Sequence, residues 1–266
     1  MSIGPIAARD AASLGGFIDI GSQRFALSAF HAFDSCRISG DMRVSHPAGP
    51  DLEINRFQDS RANSYTVGAV AMYSERLRQS LTFQGMDLPS DRTVVGLDWC
   101  AIGPVPRGKN VVPVPTFAAA HGVAAGKETR VYGNTEVYCI ARTSGYSLGF
   151  TSDVPGLQKI DGNLRREWTV RQYTPASSPA DRGSGNRWQT LKEWVTSGMG
   201  VPGDSGAWLL RRADNAVMGL IWGRNHDSGC PVQKARFTYF TPIVDILADI
   251  QQNRECFSTF RVLVLA

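Results

Sequence analysis

The chain has 266 residues, 42% of them hydrophobic, with 28 Lys and Arg against 24 Asp and Glu for a formal net charge of +4. This length and apolar content suit one large all-β unit or two small lobes and argue against general disorder. The basic residues are scattered, which does not point to nucleic acid; no apolar run approaches the roughly 18 residues of a membrane span, and the first residues lack the basic and apolar regions of a secretion signal.

In chain order, β-rich stretches at 17–20, 24–29, 66–72, 93–102, 130–141, 168–172, 207–210, 217–222 and 236–240 alternate with Gly, Pro, Asn and Asp breaks. Many short strands at such spacing predict a sandwich or barrel. A short helix is expected at 74–81. A longer one at 242–252 starts on Pro242 and repeats Ile243, Leu247 and Ile250 on one face, and it would cap a second lobe. The proline-rich stretch 103–115 reads as a connector, so the expected division is 1–120 and 121–266. Residues 175–185 read as an exposed loop, and Val262-Leu263-Val264-Leu265 as an added strand or a partner contact.

Cys36, Cys100, Cys139, Cys230 and Cys256 are an odd set without paired spacing. Neither a disulfide framework nor a structural zinc site is expected, and all five read as small buried apolar residues. A reducing, intracellular setting is the simplest expectation, with no metal and no cofactor.

The run Val201-Pro202-Gly203-Asp204-Ser205-Gly206 sets a serine in a glycine-flanked turn that leads into an apolar strand. A serine hydroxyl needs a base to take its proton and fixed donors for the oxyanion that its attack creates. Gly203 and Gly206 open backbone conformations closed to other residues, so the amides of Gly203 and Ser205 could converge on one point. Asp227-Ser228-Gly229 repeats the tripeptide without the preceding Pro-Gly or the apolar run after it.

Four histidines are candidate bases. His31 ends a strand-like run at a turn, His46 precedes Pro47 in a polar stretch, His121 follows three alanines, and His226 sits in a turn. An orienting acid must be held in apolar surroundings. Asp98 interrupts Val94-Val95-Gly96-Leu97-Asp98-Trp99-Cys100-Ala101-Ile102, whereas Asp153, Asp161 and Asp181 stand in loop-like contexts. His121, Asp153 and Ser205 form a rival set.

These stretches resemble the chymotrypsin-like serine peptidases. Residues 25–31 resemble the strand leading to the family's catalytic histidine, 97–102 the segment holding its aspartate, and 202–206 its nucleophile turn. Ile221-Trp222-Gly223 is similar to the strand lining the specificity pocket, and residues 142–149 to the opening of the second barrel. The order His, Asp, Ser is the family's order, and the resemblance runs from about residue 17 to 252.

The resemblance implies an all-β fold of two six-stranded antiparallel β-barrels packed together with a C-terminal helix. It implies a serine endopeptidase that acts on polypeptides through His31, Asp98 and Ser205 and an acyl-enzyme, with Gly203 and Ser205 as oxyanion donors. Met199 and Gly200 would form the pocket floor and Ile221, Trp222 and Gly223 a wall. No acid stands at the floor, so an apolar or medium-sized side chain is expected there, and His226 could instead receive an acidic one. The alternative is an inactive, peptidase-like interaction module, with a regulatory partner or a larger parent chain. Two departures stand out. His31 and Asp98 lie 67 positions apart, which implies an insertion within 47–81. The family's cut N-terminus, which pairs with the acid before the serine, has no counterpart, so Asp204 needs another partner.

Overall fold

The computed structural model describes residues 2–60, 63–83, 94–106, 111–113, 122–124, 128–160, 162–172, 198–225, 237–253 and 262–264. The first lobe contains β1 (Ser2–Pro5), β2 (Ala12–Ser13), β3 (Gly16–Ile20), β4 (Gln23–Ser28), α1 (Asp34–Ser39), β5 (Arg43–His46), α2 (Gly49–Gln58), β6 (Tyr65–Ser74), β7 (Leu77–Gln79), β8 (Val94–Gly96) and β9 (Trp99–Gly103). A separate antiparallel pair follows, β10 (Val111–Pro113) with β11 (Gly122–Ala124). The second lobe contains β12 (Glu136–Ala141), β13 (Gly145–Thr151), β14 (Gly156–Ile160), β15 (Asn163–Gln172), β16 (Trp208–Arg211), β17 (Val217–Arg224) and β18 (Thr238–Pro242). The chain then forms α3 (Ile243–Asn253) and β19 (Val262–Val264).

The all-β class, a six-stranded second barrel and the C-terminal helix match the expectation. In the second lobe the strands run β13-β12-β16-β17-β18-β15, and β15 pairs back onto β13, which closes a six-stranded barrel with β14 as a hairpin on β15. The first lobe is a curled eight-stranded sheet, ordered β19-β3-β4-β9-β6-β5-β1-β2. Its edge strand β19 comes from the C-terminal tail and pairs antiparallel with β3, the added strand that the apolar end suggested.

Alternation explains the packing, because successive residues of a strand face opposite sides. On β4, Phe25 and Leu27 join a core shared by both lobes, while Ala26 faces the first lobe's own core. On β9, Trp99 and Ala101 face the shared core, and Cys100 and Ile102 turn away. On β16, Trp208 and Leu210 enter the shared core and Leu209 fills the barrel. Strands buried on both faces lack a polar side, which is why they read as near-continuous apolar runs. The three described cysteines, Cys36, Cys100 and Cys139, are buried and unpaired, as small core residues.

Two expectations need correction, and a third is extended. Residues 74–81 are not a helix: Ser74 ends β6, and Leu77–Gln79 pairs with Val94–Gly96. A distant strand supplies the backbone partners that local helix formation would have used, and tertiary pairing overrides propensity. The stretch 93–102 is not one strand but β8 and β9, broken where Leu97 N donates to Arg76 O at 2.9 Å. The last helix does more than cap the second lobe. Ile243, Ile246, Leu247 and Ile250 of α3 enter the shared core, while its buried acids reach the first lobe. Asp245 accepts from Ser80 Oγ and Leu81 N, both at 2.6 Å, and Asp249 accepts from Trp99 Nε1 at 3.1 Å. The insertion between His31 and Asp98 contains α1 and α2, with α2 inside the anticipated region. The loop 175–185 and the division near 120 fall outside the described residues.

Candidate active site

His31 opens a 3₁₀ turn, His31–Phe33, directly after β4. The adjacent Phe30 is fully buried and its ring stacks on Tyr73 with centroids 3.9 Å apart, which fixes the backbone that presents the imidazole. Asp98 sits in the break between β8 and β9. Its Oδ1 accepts from Phe30 N and His31 N, both at 2.9 Å, and its Oδ2 pairs with His31 Nδ1. One carboxylate therefore fixes both the turn and the ring. A carboxylate at Nδ1 holds the proton there and leaves Nε2 as the acceptor.

Burial of His31 works against its charged form. The hydrogen bond and charge of Asp98, with a smaller contribution from Glu75, outweigh that and raise the pKa above its ordinary value. The pair is thus poised to take up a proton and stabilise the resulting imidazolium.

Ser205 lies on the second lobe in the turn before β16. Ser13 N donates to Ser205 O at 2.9 Å, and Gly206 N donates to Ile221 O at 2.7 Å. Gly206 has φ +92°, and a Cβ there would come within 2.2 Å of Ser28 Oγ and 3.0 Å of Ala29 N. Only glycine lets this turn settle onto the end of the strand that leads to His31. The Ser205 hydroxyl donates to Trp222 O at 3.3 Å; among the described residues no hydrogen bond joins it to His31. That carbonyl is available because β17 bulges there: Ile221 pairs with Phe240 and Gly223 with Tyr239, which leaves Trp222 out of the ladder.

The turn itself is tightly accounted for. Pro202 O accepts from Thr143 Oγ1 at 2.9 Å, Gly203 O from Ser13 Oγ at 2.9 Å, and Asp204 O from Ala207 N at 3.0 Å. Asp204 N donates to Val201 O at 2.9 Å. The amides of Gly203 and Ser205 have no acceptor among the described residues, as an oxyanion site requires.

Asp204, fully buried, finds its partners in backbone amides. Its Oδ1 accepts from Thr143 N at 3.1 Å and Ser144 N at 2.9 Å, and its Oδ2 from Gly200 N at 2.9 Å. Burial pushes its pKa up, and the donors from Ser144, Thr143 and Gly200 offset only part of that. Thr143 and Ser144 form the tight turn between β12 and β13, which occupies part of the stretch 142–149.

Of the expected pocket residues, Met199 is fully buried and its amide donates to Gln172 Oε1 at 3.0 Å. Gly200, with φ +84°, lies under Thr238, and a Cβ at 200 would come within 2.8 Å of Thr238 Cγ2 and 3.3 Å of Gly223 O. Thr238 Oγ1 donates to Met199 O at 2.8 Å. Residues 199–200, 221–223 and 238 are therefore adjacent. The Trp222 ring stacks on Tyr239 at 5.1 Å and carries the Arg165 guanidinium 5.2 Å from its centroid.

His46 is structural: its Nδ1 lies 2.5 Å from Ser2 O, on the first lobe. Asp153 is exposed in the turn before β14. His121, His226, Asp161, Asp181 and the second Asp-Ser-Gly at 227–229 lie outside the described residues. Sequence reasoning missed Ser13, Arg142, Thr143 and Thr238 as contributors. Gly15-Gly16 beside Ser13 was a signal of close approach, since a Cβ at either would strike the Trp208 ring at 2.5 Å.

No family model matches the sequence, and no curated protein matches it. The fold is a different matter. Thermobifida fusca Protease A superposes with a TM-score of 0.50 at 15% identity, covering 100% of this chain and 96% of that one. A glutamic acid specific serine protease that uses a histidine triad in substrate binding gives 0.52 at 12%, covering 99% and 97%. Nocardiopsis protease gives 0.50 at 11%, covering 99% and 97%. The chain has the chymotrypsin fold. Within that fold, His31 and Asp98 lie on the first lobe and Ser205 and β17 on the second, and Ser13 of β2 hydrogen-bonds to Ser205 O.

Proposed function

We propose that the protein is a serine endopeptidase in which His31, Asp98 and Ser205 act as one unit on a polypeptide. The observation that carries this reading is the combination of an imidazole fixed at Nδ1 by Asp98 with a serine turn whose Gly203 and Ser205 amides meet no acceptor among the described residues. In the reaction, the Ser205 hydroxyl turns from Trp222 O toward His31. It gives its proton to Nε2 as Oγ bonds to the substrate carbonyl carbon. The carbonyl oxygen becomes an oxyanion between the Gly203 and Ser205 amides. Collapse breaks the C–N bond, and the imidazolium returns its proton to the leaving amine. Water, deprotonated by His31, then releases the acyl group from Ser205.

The pocket reading is supported by Met199, Gly200, Thr238 and Gly223, none of which is charged, and by the occupation of the Asp204 carboxylate by three amides. Apolar or medium-sized side chains at the cleaved bond fit such a surface.

A peptide library incubated with the protein and with Ser205→Ala tests both points, alongside a fluorophosphonate probe. The expected result is cleavage after uncharged side chains, labelling at Ser205, and a loss of more than about 10⁴-fold in kcat in the variant. Retained turnover in Ser205→Ala sinks the mechanism, and dominant cleavage after Lys or Arg sinks the pocket reading. The inactive-module reading has one observation in its favour, the donation of Ser205 Oγ to Trp222 rather than to His31. Absence of labelling at Ser205 would select it.

A further inference from the structure

The nucleophile turn belongs to the second lobe, yet a residue of the first lobe holds two of its peptide groups. Ser13, on the two-residue strand β2, is fully buried and uses every hydrogen-bonding group it has. Its amide donates to Ser205 O at 2.9 Å and its Oγ donates to Gly203 O at 2.9 Å. The same Oγ accepts from Arg142 N at 2.8 Å, and Ser13 O accepts from Ser28 Oγ at 2.8 Å.

We propose that Ser13 is a positioning residue for the oxyanion site and that it keeps the Ser205 turn in its working shape. The inference rests on the reading of Ser205 as the nucleophile. Its physical basis is the rigidity of the peptide plane: a trans amide points its N–H opposite to its C=O, so holding one end aims the other. Thr143 Oγ1 on Pro202 O aims the Gly203 N–H, and Ala207 N on Asp204 O aims that of Ser205. Between and after these two planes lie the peptides that follow Gly203 and Ser205. Ser13 holds the first through Oγ and the second through its amide. Gly203, at φ +95°, has the backbone freedom to swing if its carbonyl is released.

The hydroxyl also joins the two halves of the device. Arg142 N, which it accepts, opens the turn whose next two amides hold Asp204. Arg142 is anchored in turn by Asp51 of the inserted helix α2, Nε donating to Oδ2 at 2.7 Å and the terminal nitrogen to Oδ1. Burial disfavours the Asp51 carboxylate, but the hydrogen bonds from Arg142 and Ser2 and the charges of Arg142 and His46 hold its pKa below the ordinary value. The insertion in the first lobe thus braces the turn that Ser13 clasps.

Ser13→Ala removes the hydroxyl while keeping the amide and carbonyl bonds. Ser13→Cys fills the same space with a weak donor and guards against a packing defect in the alanine variant. Turnover per site titrated with a fluorophosphonate is compared with the parent, together with amide hydrogen exchange of the peptide spanning 198–206. Both variants are expected to lose about 10- to 100-fold in kcat per titrated site, with KM within about twofold and an unchanged acid limb of the pH profile, because His31 and Asp98 are untouched. Exchange within this peptide is expected to accelerate at the hydrogen-bonded Asp204 and Gly206 amides. A kcat per titrated site within about twofold of the parent, or unchanged exchange, overturns the proposal. If the parent itself is not labelled, the peptidase reading fails separately, and the exchange data alone decide whether Ser13 orders the turn.

Discussion

At the scale of single residues, the site is governed by backbone amides more than by side-chain pairs. Asp98 collects two backbone N–H donors beside the His31 ring, and Asp204 collects three, which lets the buried Asp204 carboxylate stand with no ion-pair partner among the described residues. The consequence for His31 is directional. Its raised pKa means that kcat/KM should climb with pH through a value above the ordinary ~6.5, as the imidazole becomes neutral and able to accept the serine proton. The pair's contribution to folding has the opposite pH dependence: fully present below ~6.5 and lost as pH rises through the folded-state value. Asp98→Asn should lower kcat by about 10⁴-fold and bring that acid limb down in pH. A pH–rate series on the two proteins checks it, and an unmoved limb would assign the titration to another group.

At the scale of elements, the break between β8 and β9 presents Asp98 to the His31 turn, and the turn between β12 and β13 presents two amides to Asp204. The first is held from the second lobe on both sides of one residue: Gly96 N donates to Glu167 Oε1 at 3.2 Å, and Gly96 O accepts from Thr241 Oγ1 at 3.0 Å. Asp98 follows two residues later, so these contacts register the acid against the serine lobe. Burial pushes the Glu167 carboxyl up to about 8, against the charge of Arg165 2.9 Å away and the Gly96 amide, with Asp98 adding to the rise. A carboxyl with a raised folded-state pKa binds its proton more tightly when folded, so stability falls as pH climbs from about 4.5 toward 8. Glu167→Gln keeps an acceptor for Gly96 N and removes that titration. Its unfolding temperature should vary less with pH across this window than that of the parent. Parallel curves would mean that Glu167 is ionised throughout, paired with Arg165.

At the scale of the whole molecule, the lobes share a core in addition to the separate clusters beside it. Trp208 of β16 lies against Gly15 and Gly16 of the first lobe, and residues of β3, β4, β9, β12, β16, β17 and α3 fill the same cluster. Urea unfolding should therefore be a single transition, and Trp208→Ala should lower stability by about 3–5 kcal/mol, the usual range for emptying a large buried aromatic site. Two separated transitions in the parent would show that the lobes fold independently.

Much of this was legible in one dimension because it depends on local chemistry. The apolar runs, the breaks between them, Pro242 ahead of a one-faced helix, and the glycines around Ser205 each constrain their own segment. His31 and Asp98 stood out for the same reason, one at a strand end and the other as a charge within an apolar run. What could not be read was every feature whose partner is far along the chain. Residues 77–79 have no local reason to be extended; they become β7 because 94–96 lies beside them. Ser13 is an unremarked serine until folding brings Gly203 and Arg142 to it, 190 and 129 positions away. The sequence alone therefore settled the all-β class, the last helix and the candidate serine turn, since periodicity and glycine placement act over a few residues. The clasp on that turn was decided only in three dimensions, because hydrogen bonds between distant amides and hydroxyls leave no spacing in the chain to be read.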